Sequence, residues 1–369
     1  MPHPKTHKYK TNLKSQTESA MRIFLLATAL ITSSTLCTFA QEPTKGVWKA
    51  EYSDVEGIGK EKGVMRRDPS DIIKVGDLYY VWYSKGTISP GYDATVWYAT
   101  SKDGHKWTEK GMALDKGKKG TWEGASVFTP NILVAKDKYW LFYTGTSRDF
   151  HKKPFNPDSK IGVAVSDSPN GPWKRVGSEP VIKNSDKKAD FDSHLVDDAC
   201  LIVRDGKYWC YYKGRQQGFG PGKTKMGVAI ATKPGGPYVK HKNNPVIPGN
   251  HEVIVWPQGK GVTAMIGTTG PKEITRSFLF AEDGLNFSKT HNVIQGPHGA
   301  GGYRPEAFTE SGKGKPAEWG VHIGHSKGFL PFIERWDLKA TKPKAEKKEQ
   351  DKKQSIESSS SPSGSPTGP

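Results

Sequence analysis

Along this chain the apolar and aromatic positions gather into short runs between polar turns, and the runs come in pairs that recur with a slow period. In the first three pairs a strand rich in Tyr and other aromatics ends on Tyr. After an insertion, a second strand closes in a small hairpin that carries an aromatic residue. The first pair is Asp77-Leu-Tyr-Tyr-Val-Trp-Tyr83 with Trp97-Tyr-Ala-Thr-Ser-Lys-Asp-Gly-His-Lys-Trp107. The second joins the run from Asp137 to Tyr143 with the run from Ile161 to Trp173, and the third joins Asp205–Tyr212 with Met226–Tyr238. A worn fourth pair covers Gly261–Gly267 and Arg276–Phe287, and a fifth covers Trp319–Gly324 and Gly328–Trp336. Self-similarity at a spacing of tens of residues, built from short strands and Gly, Pro and Asp turns, predicts a β-propeller. The expected fold class is all-β: a five-bladed β-propeller with a central active-site channel, and chemistry belongs at the channel mouth.

The ends fall outside the repeats. Met21-Arg-Ile-Phe-Leu-Leu-Ala-Thr-Ala-Leu-Ile31, followed by Thr38-Phe-Ala40, has the basic start, short apolar run and small residues of a secretory signal. Residues 1–40 therefore read as a leader and signal peptide, with Met21 as an alternative start. Residues 41–339 read as the catalytic propeller, and 340–369, made almost wholly of Lys, Glu, Ser, Pro and Gly, as a disordered tail. The apolar run is too short and too rich in Ser and Thr to span a bilayer, so a secreted or periplasmic location is expected. Of the formal net charge of +17, residues 1–40 hold four Lys, one Arg and one Glu, and the tail holds six Lys and four acids, which leaves +11 on the propeller. That surplus is either a generic basic surface or the steering field for a polyanion such as an acidic glycan. Nucleic acid is not an expected partner, because no Lys/Arg run interleaves with aromatics. Cys200 and Cys210 fall on neighbouring strands of one blade, either bridged or as two buried thiols.

In a propeller the innermost strand of each blade opens onto the channel, so the reactive residues belong just upstream of each Tyr-rich strand. Arg67-Asp68-Pro69-Ser70 stands there in blade one, and Phe128-Thr129-Pro130-Asn131, without an acid, in blade two. Blade three has Val196-Asp197-Asp198-Ala199, blade four Asn250-His251-Glu252-Val253, and blade five Arg304-Pro305-Glu306-Ala307. Acids in four of five equivalent places point to convergence on one cavity, whereas Asp103, Asp167 and Asp283 sit in hairpins and suit turn capping. Glycosidic hydrolysis needs one group to protonate the leaving oxygen and another to activate water, and acids on different blades suit the wider spacing of an inverting mechanism. A third acid would orient the substrate or raise the proton donor's pKa. His251, beside Glu252, could itself donate the proton.

These residues resemble the five-bladed glycoside hydrolases of families 43 and 62, and most closely family 117, the exo-acting 3,6-anhydro-L-galactosidases of neoagaro-oligosaccharides. The stretches that carry the likeness are Asp68-Pro69-Ser70, Asp197-Asp198-Ala199-Cys200-Leu201, Tyr211-Tyr212-Lys213-Gly214-Arg215 and His251-Glu252-Val253-Ile254-Val255-Trp256-Pro257. The resemblance implies Asp68 as general base, Asp198 or Asp197 as second carboxylate, Glu252 as third, and His251 as the acid. It also implies a single divalent cation near the channel, which His194 or His322 would approach. The family's N-terminal Ser-x-Ala-x-x-Arg element, used for swapped dimerisation, has no counterpart in Ala50-Glu-Tyr-Ser-Asp-Val-Glu56, and the oligomeric state stays open.

Other candidates divide between binding and structure. Trp122 is either a sugar-stacking platform or an interblade filler; Trp256 has the same two readings, with packing ahead. Lys213 and Arg215 are contacts for a carboxylate or sulfate, or solvated charges. Arg67, Thr129, His194 and Glu306 complete the expected substrate-binding set, and His322, with His325 on the same strand, is a minor metal candidate. The hairpin Ser101-Lys-Asp-Gly-His-Lys-Trp107 is one residue short of the sialidase Asp-box, and no arginine triad accompanies it. Three rival functions remain: a family 43-like arabinofuranosidase or xylosidase, or a 3,6-anhydro-D-galactosidase on carrageenan oligosaccharides; a non-catalytic propeller that binds sulfated glycan; and a phosphorylase like those of family 130.

Overall fold

The computed structural model describes residues 47–87, 93–148, 158–249, 251, 254–297, 301–305, 307–308 and 317–341, all within one compact unit, Glu42–Pro369. Residues 1–40, expected as a leader and signal peptide, and the residues beyond Thr341, expected as a disordered tail, lie outside the described residues. The described chain is all-β, with one short 3-10 turn at Pro221–Lys223 and no α-helix. Among the described residues no helix is long and apolar enough to cross a membrane.

The strands form five antiparallel units. The N-terminal strand β1 (Val47–Asp54) belongs to the last of them. Unit I contains β2 (Met65–Arg67) and β3 (Ile73–Val75), both paired with β4 (Leu78–Gly86), then β5 (Thr95–Ser101) and β6 (Trp107–Leu114). Unit II is β7 (Ser126–Ala135), β8 (Lys138–Thr146), β9 (Ser159–Ser166) and the short β10 (Lys174–Arg175). Unit III is β11 (Leu195–Arg204), β12 (Lys207–Arg215), β13 (Lys225–Ala231) and β14 (Val239–Lys240). Unit IV is β15 (Ile254–Gln258), β16 (Gly261–Ile266), β17 (Ser277–Ala281) and β18 (Ser288–Ile294). Unit V pairs β19 (Trp319–Gly324) with β20 (Phe332–Thr341), and β1 lies along β20 in antiparallel register from Val47↔Thr341 to Asp54↔Glu334. The N-terminal stretch thus completes the last unit by strand exchange, and β1 also runs parallel to β18 of unit IV. The last strand extends to Thr341, slightly past the boundary expected at residue 339.

The Tyr/Trp-rich runs are apolar at nearly every position because each central strand is covered on both faces, and successive side chains point to opposite sides. Val81 and Tyr83 enter the cluster shared with unit V, while Tyr80 and Trp82 enter the one shared with unit II. Leu141 and Tyr143 face unit I and Phe142 faces unit III; Cys210 and Tyr212 face unit II, and Trp209 and Tyr211 face unit IV. Trp256, Met265 and Phe278 of unit IV meet Ala50, Trp336 and Leu338 of unit V. Apolar clusters therefore join I to II, II to III, III to IV, IV to V, and V back to I.

The same alternation settles the cysteines. Cys200 pairs with Tyr211 and Cys210 with Leu201, so the two side chains leave the sheet on opposite faces, and both are buried free thiols. Two of the hairpin acids behave as turn residues: Asp103 accepts the His105 and Lys106 N–H groups at 2.8 Å each, and Asp283 accepts those of Leu285 and Asn286, whereas Asp167 pairs with Lys138 instead.

Candidate active site

One backbone irregularity repeats at the start of three units. Asp68 (φ 50°), Thr129 (φ 41°) and Asp198 (φ 53°) are left-handed although none is glycine. Each follows a residue in the same register: Arg67 opposite Ser84, Phe128 opposite Thr144, and Asp197 opposite Lys213. In units II and III the irregularity is a β-bulge, and in unit I it separates β2 from β3. A bulge re-aims one side chain out of the sheet plane, and left-handed non-glycine residues survive where the surroundings over-determine them. Here the partner is the residue facing the preceding position. Ser84 Oγ approaches Asp68 Oδ2 to 3.5 Å, the Thr129 and Thr144 hydroxyls bond to each other, and Lys213 Nζ bonds Asp198 Oδ2. Ser84 Oγ also accepts the Thr129 N–H at 2.9 Å, which ties unit I to unit II at this level.

The charges converge around Asp68, Asp197 and Asp198. Asp68 is ion-paired with Arg67 Nε at 2.9 Å, and Lys213 lies 3.6 Å from Asp197 as well as bonding Asp198. Burial pushes the Asp198 carboxyl up to about 7; Lys213 opposes the shift, and the like charges of Asp197 and Asp68 add to it. Asp197 is raised by the same burial, again against Lys213 and Arg215. His251 moves the other way, down to about 2, chiefly under the Lys213 charge, then through burial and the charges of Arg215 and Arg67. Near neutrality the imidazole is therefore uncharged, whereas Asp198 keeps its proton to a far higher pH than an ordinary Asp. Asp197 Oδ1, Asp198 Oδ1 and His251 Nδ1 are buried and have no hydrogen-bond partner among the described residues. Such atoms suit the hydroxyls of a sugar. Beside them Arg67, His251, Gly267, Thr268, Thr269, Pro297, Ile323 and His325 line a cavity of about 270 Å³.

Comparisons with known proteins agree with this chemistry. The family described as Glycosyl hydrolases family 43 matches residues 62–200. A solved family 117 glycoside hydrolase, produced by the marine bacterium Zobellia galactanivorans, is 31% identical; the alignment covers 79% of this chain and 90% of that one, with a TM-score of 0.71. This chain belongs to glycoside hydrolase family 117. An arabinoxylan arabinofuranohydrolase of Bacillus subtilis is 26% identical over 70% of this chain and 50% of its own length. An extracellular endo-alpha-(1->5)-L-arabinanase of Thermotoga petrophila is 24% identical over 39% and 33%. The chain spans half or less of these two curated relatives.

The family 117 enzyme brings Arg67, Asp68, Asp197, Asp198, Lys213, Arg215 and His251 together; Glu252 and Glu306 lie outside the described residues. Thr129 holds the acid position of unit II with a hydroxyl. Lys213 and Arg215, open to a reading as solvated charges, are instead buried. His194 stands at the margin, its N–H on the Arg215 carbonyl at 3.0 Å and its imidazole pKa lowered by burial and Arg215.

Three expected contributors lie elsewhere. Trp256 is 1% exposed and packs edge-on against Phe278 in the core, which leaves no ring face for a sugar. Trp122 stacks on Tyr143, donates its indole N–H to the Ser178 carbonyl at 2.9 Å, and covers Gly145 and Gly162. A Cβ on either glycine would come within 2.7 Å of the Trp122 ring, so the ring serves as an interunit filler. His322 pairs with Glu334 at 3.2 Å and stacks on Tyr52. Among the described residues no three His, Cys, Asp or Glu side chains converge as metal ligands, so the donors for the cation implied by the resemblance are not assembled there.

Beneath the acids lies a polar knot that no sequence motif marks. Asp71, three residues after Asp68, forms a fully buried ion pair with Arg304, which also donates to the Val255 carbonyl. Asn131 accepts the Asp71 N–H at 3.1 Å and donates to the Ala199 carbonyl at 2.7 Å. One group from each of units I to IV, with Arg304 from the segment leading into unit V, meets at this point. The available signal was an acid on an inner strand without a partner nearby in sequence, which demands a distant cation.

Proposed function

We propose that this family 117 enzyme is an exported, exo-acting, inverting glycoside hydrolase that releases 3,6-anhydro-L-galactose from neoagaro-oligosaccharides. The five units, joined in cyclic order by apolar clusters, support a closed five-bladed propeller with the acids at its channel mouth. The observation that carries the reading is the repeated register of Asp68 and Asp198: two carboxyls on different units, one paired with Arg67 and the other with Lys213, the second raised by burial to about 7 and so able to exchange a proton near neutrality. Asp68 takes a proton from the attacking water as that oxygen bonds the anomeric carbon. Asp198 gives its proton to the leaving oxygen as the glycosidic bond breaks. Asp197 and Lys213 hold the donor in place, and His251 and Arg215 bind sugar hydroxyls. Export is supported by the signal-like segment from Met21 to Ala40.

The test is turnover of neoagaro-, neocarra-, arabino- and xylo-oligosaccharides with products read by mass spectrometry. Release of a single anhydrogalactose from the non-reducing end is the expected result; silence on all of them would refute hydrolysis. Aryl glycosides with good leaving groups should restore turnover to Asp198→Asn, because a weak base needs no protonation. Restoration confined to His251→Asn would move the acid to the imidazole, which would then need an anion beside it to become charged. The family 43 match over residues 62–200, with the likeness to an arabinoxylan arabinofuranohydrolase, favours one second reading, an arabinose-releasing hydrolase, and the same substrates decide it.

A further inference from the structure

We propose that a polar trough beside the catalytic acids binds the distal residues of an anionic oligosaccharide, so that charged chains longer than a disaccharide are the preferred substrates; this rests on the glycosidase reading above. Two cavities of about 400 and 770 Å³ share the wall formed by residues Lys183 to Asp186. The inner one begins at His194, whose N–H bonds the Arg215 carbonyl, and three residues further β11 reaches Asp197. The outer one includes Lys225, where β13 begins opposite the end of β12. Both cavities therefore open at the end of unit III that carries the acids. The loop of residues 216–224 leads from the wall of these cavities toward His251. Gln216 lies in the trough wall, and the Pro221 carbonyl lies close to the His251 imidazole.

The lining selects a charged sugar chain. Arg148, Lys225 and Lys242 line the trough without an ion pair among the described residues. The acids are mostly engaged: Asp158 with Lys160, Asp192 with Lys240 and the Tyr212 hydroxyl, and Asp190 with the Ser185 hydroxyl. The three cations Arg148, Lys225 and Lys242 thus outnumber the two carboxylates, Asp186 and Asp190, that no cation pairs among the described residues. Phe219, in the loop of residues 216–224, is 47% exposed and offers an aromatic face to sugar C–H groups. A space of 770 Å³ exceeds the needs of a single inorganic anion and suits several linked residues. Sulfate and carboxylate share the required chemistry: negative charge with acceptor oxygens on a polar scaffold.

The experiment is calorimetric titration of the full-length Asp68→Asn variant with neutral, sulfated and uronate-bearing galactan di- and hexasaccharides at low and high salt. The charged hexasaccharide should bind at least about tenfold tighter than the charged disaccharide, with the gain shrinking as salt rises. Lys225→Gln with Lys242→Gln should erase that gain and leave disaccharide binding unchanged, and Phe219→Ala should reduce hexasaccharide binding, charged or neutral. Preference between sulfate and uronate names the anion. Equal affinity for both lengths, a charged hexasaccharide no tighter than the neutral one, or an equal loss for both lengths in the lysine variant overturns the proposal. Failure of the glycosidase reading would show separately, as parent enzyme that releases no product from any disaccharide.

Discussion

Replacing Arg304 by Met tests whether the five units are locked from their centre. Both side chains of the Arg304–Asp71 pair are 1% exposed. Arg304 also serves the Val255 carbonyl and, at 3.4 Å, the Leu201 carbonyl. Methionine fills much of the volume but leaves Asp71 Oδ2 with only the weak Cys200 thiol donor at 3.7 Å. Removing one partner of a buried pair costs about 3–5 kcal/mol, and a carbonyl left without its donor adds about 1 kcal/mol. At about 2–4 °C per kcal/mol, a total of about 4–6 kcal/mol should lower the melting temperature by roughly 8–24 °C. Denaturant unfolding at constant pH, followed by tryptophan fluorescence, measures the free energy, and calorimetry measures the shift. The double variant Asp71→Leu/Arg304→Met should recover most of the loss, since no charge is then stranded. A single variant that loses less than about 1 kcal/mol, or a double variant worse than the single, would refute the reasoning.

Asp68→Asn should lower kcat/KM by about a thousandfold or more with an unchanged melting temperature, as loss of a general base requires; wild-type turnover would remove Asp68 from the chemistry. Because the folded-state pKa of Asp198 lies above its unfolded value, its folded form binds the extra proton, and the contribution of this group to stability falls as pH rises from about 4 to 7. Asp198→Asn lacks this dependence, so its melting temperature should gain on wild type between pH 5 and 8 by the equivalent of about 3 kcal/mol; a constant difference would contradict the buried-carboxyl account. Lys213→Met removes the cation that favours ionised Asp198, so the basic limb of the pH–rate profile should move upward, with Lys213→Arg restoring it. Trp122→Ala should cost about 2 kcal/mol or more of stability with KM unchanged, and a rise in KM alone would return this ring to the substrate.

Much of the architecture was legible in the chain. The paired aromatic runs located the central strands of units I to III, because a strand covered on both faces must be apolar at nearly every position. The equivalent placing of Asp68 and Asp198 followed from the repeat, and their shared left-handed backbone gives that equivalence a physical form. Trp256 and His322 show the limit: an aromatic or a His in a motif has the same appearance whether its ring faces a channel or a core. Trp122 illustrates it again, since only the close approach of Gly145 and Gly162 reveals the ring as packing.

By itself the sequence determined what each segment must bury, where it must turn, and which inner strands carry acids, since these are local properties of side chain and backbone. Tertiary structure alone decided which acids share a field, that Lys213 spans Asp197 and Asp198, that Arg304 answers Asp71, and that β1 closes the last unit. Those outcomes depend on distances between residues far apart in the chain, and such distances exist only once the faces of five units have packed together.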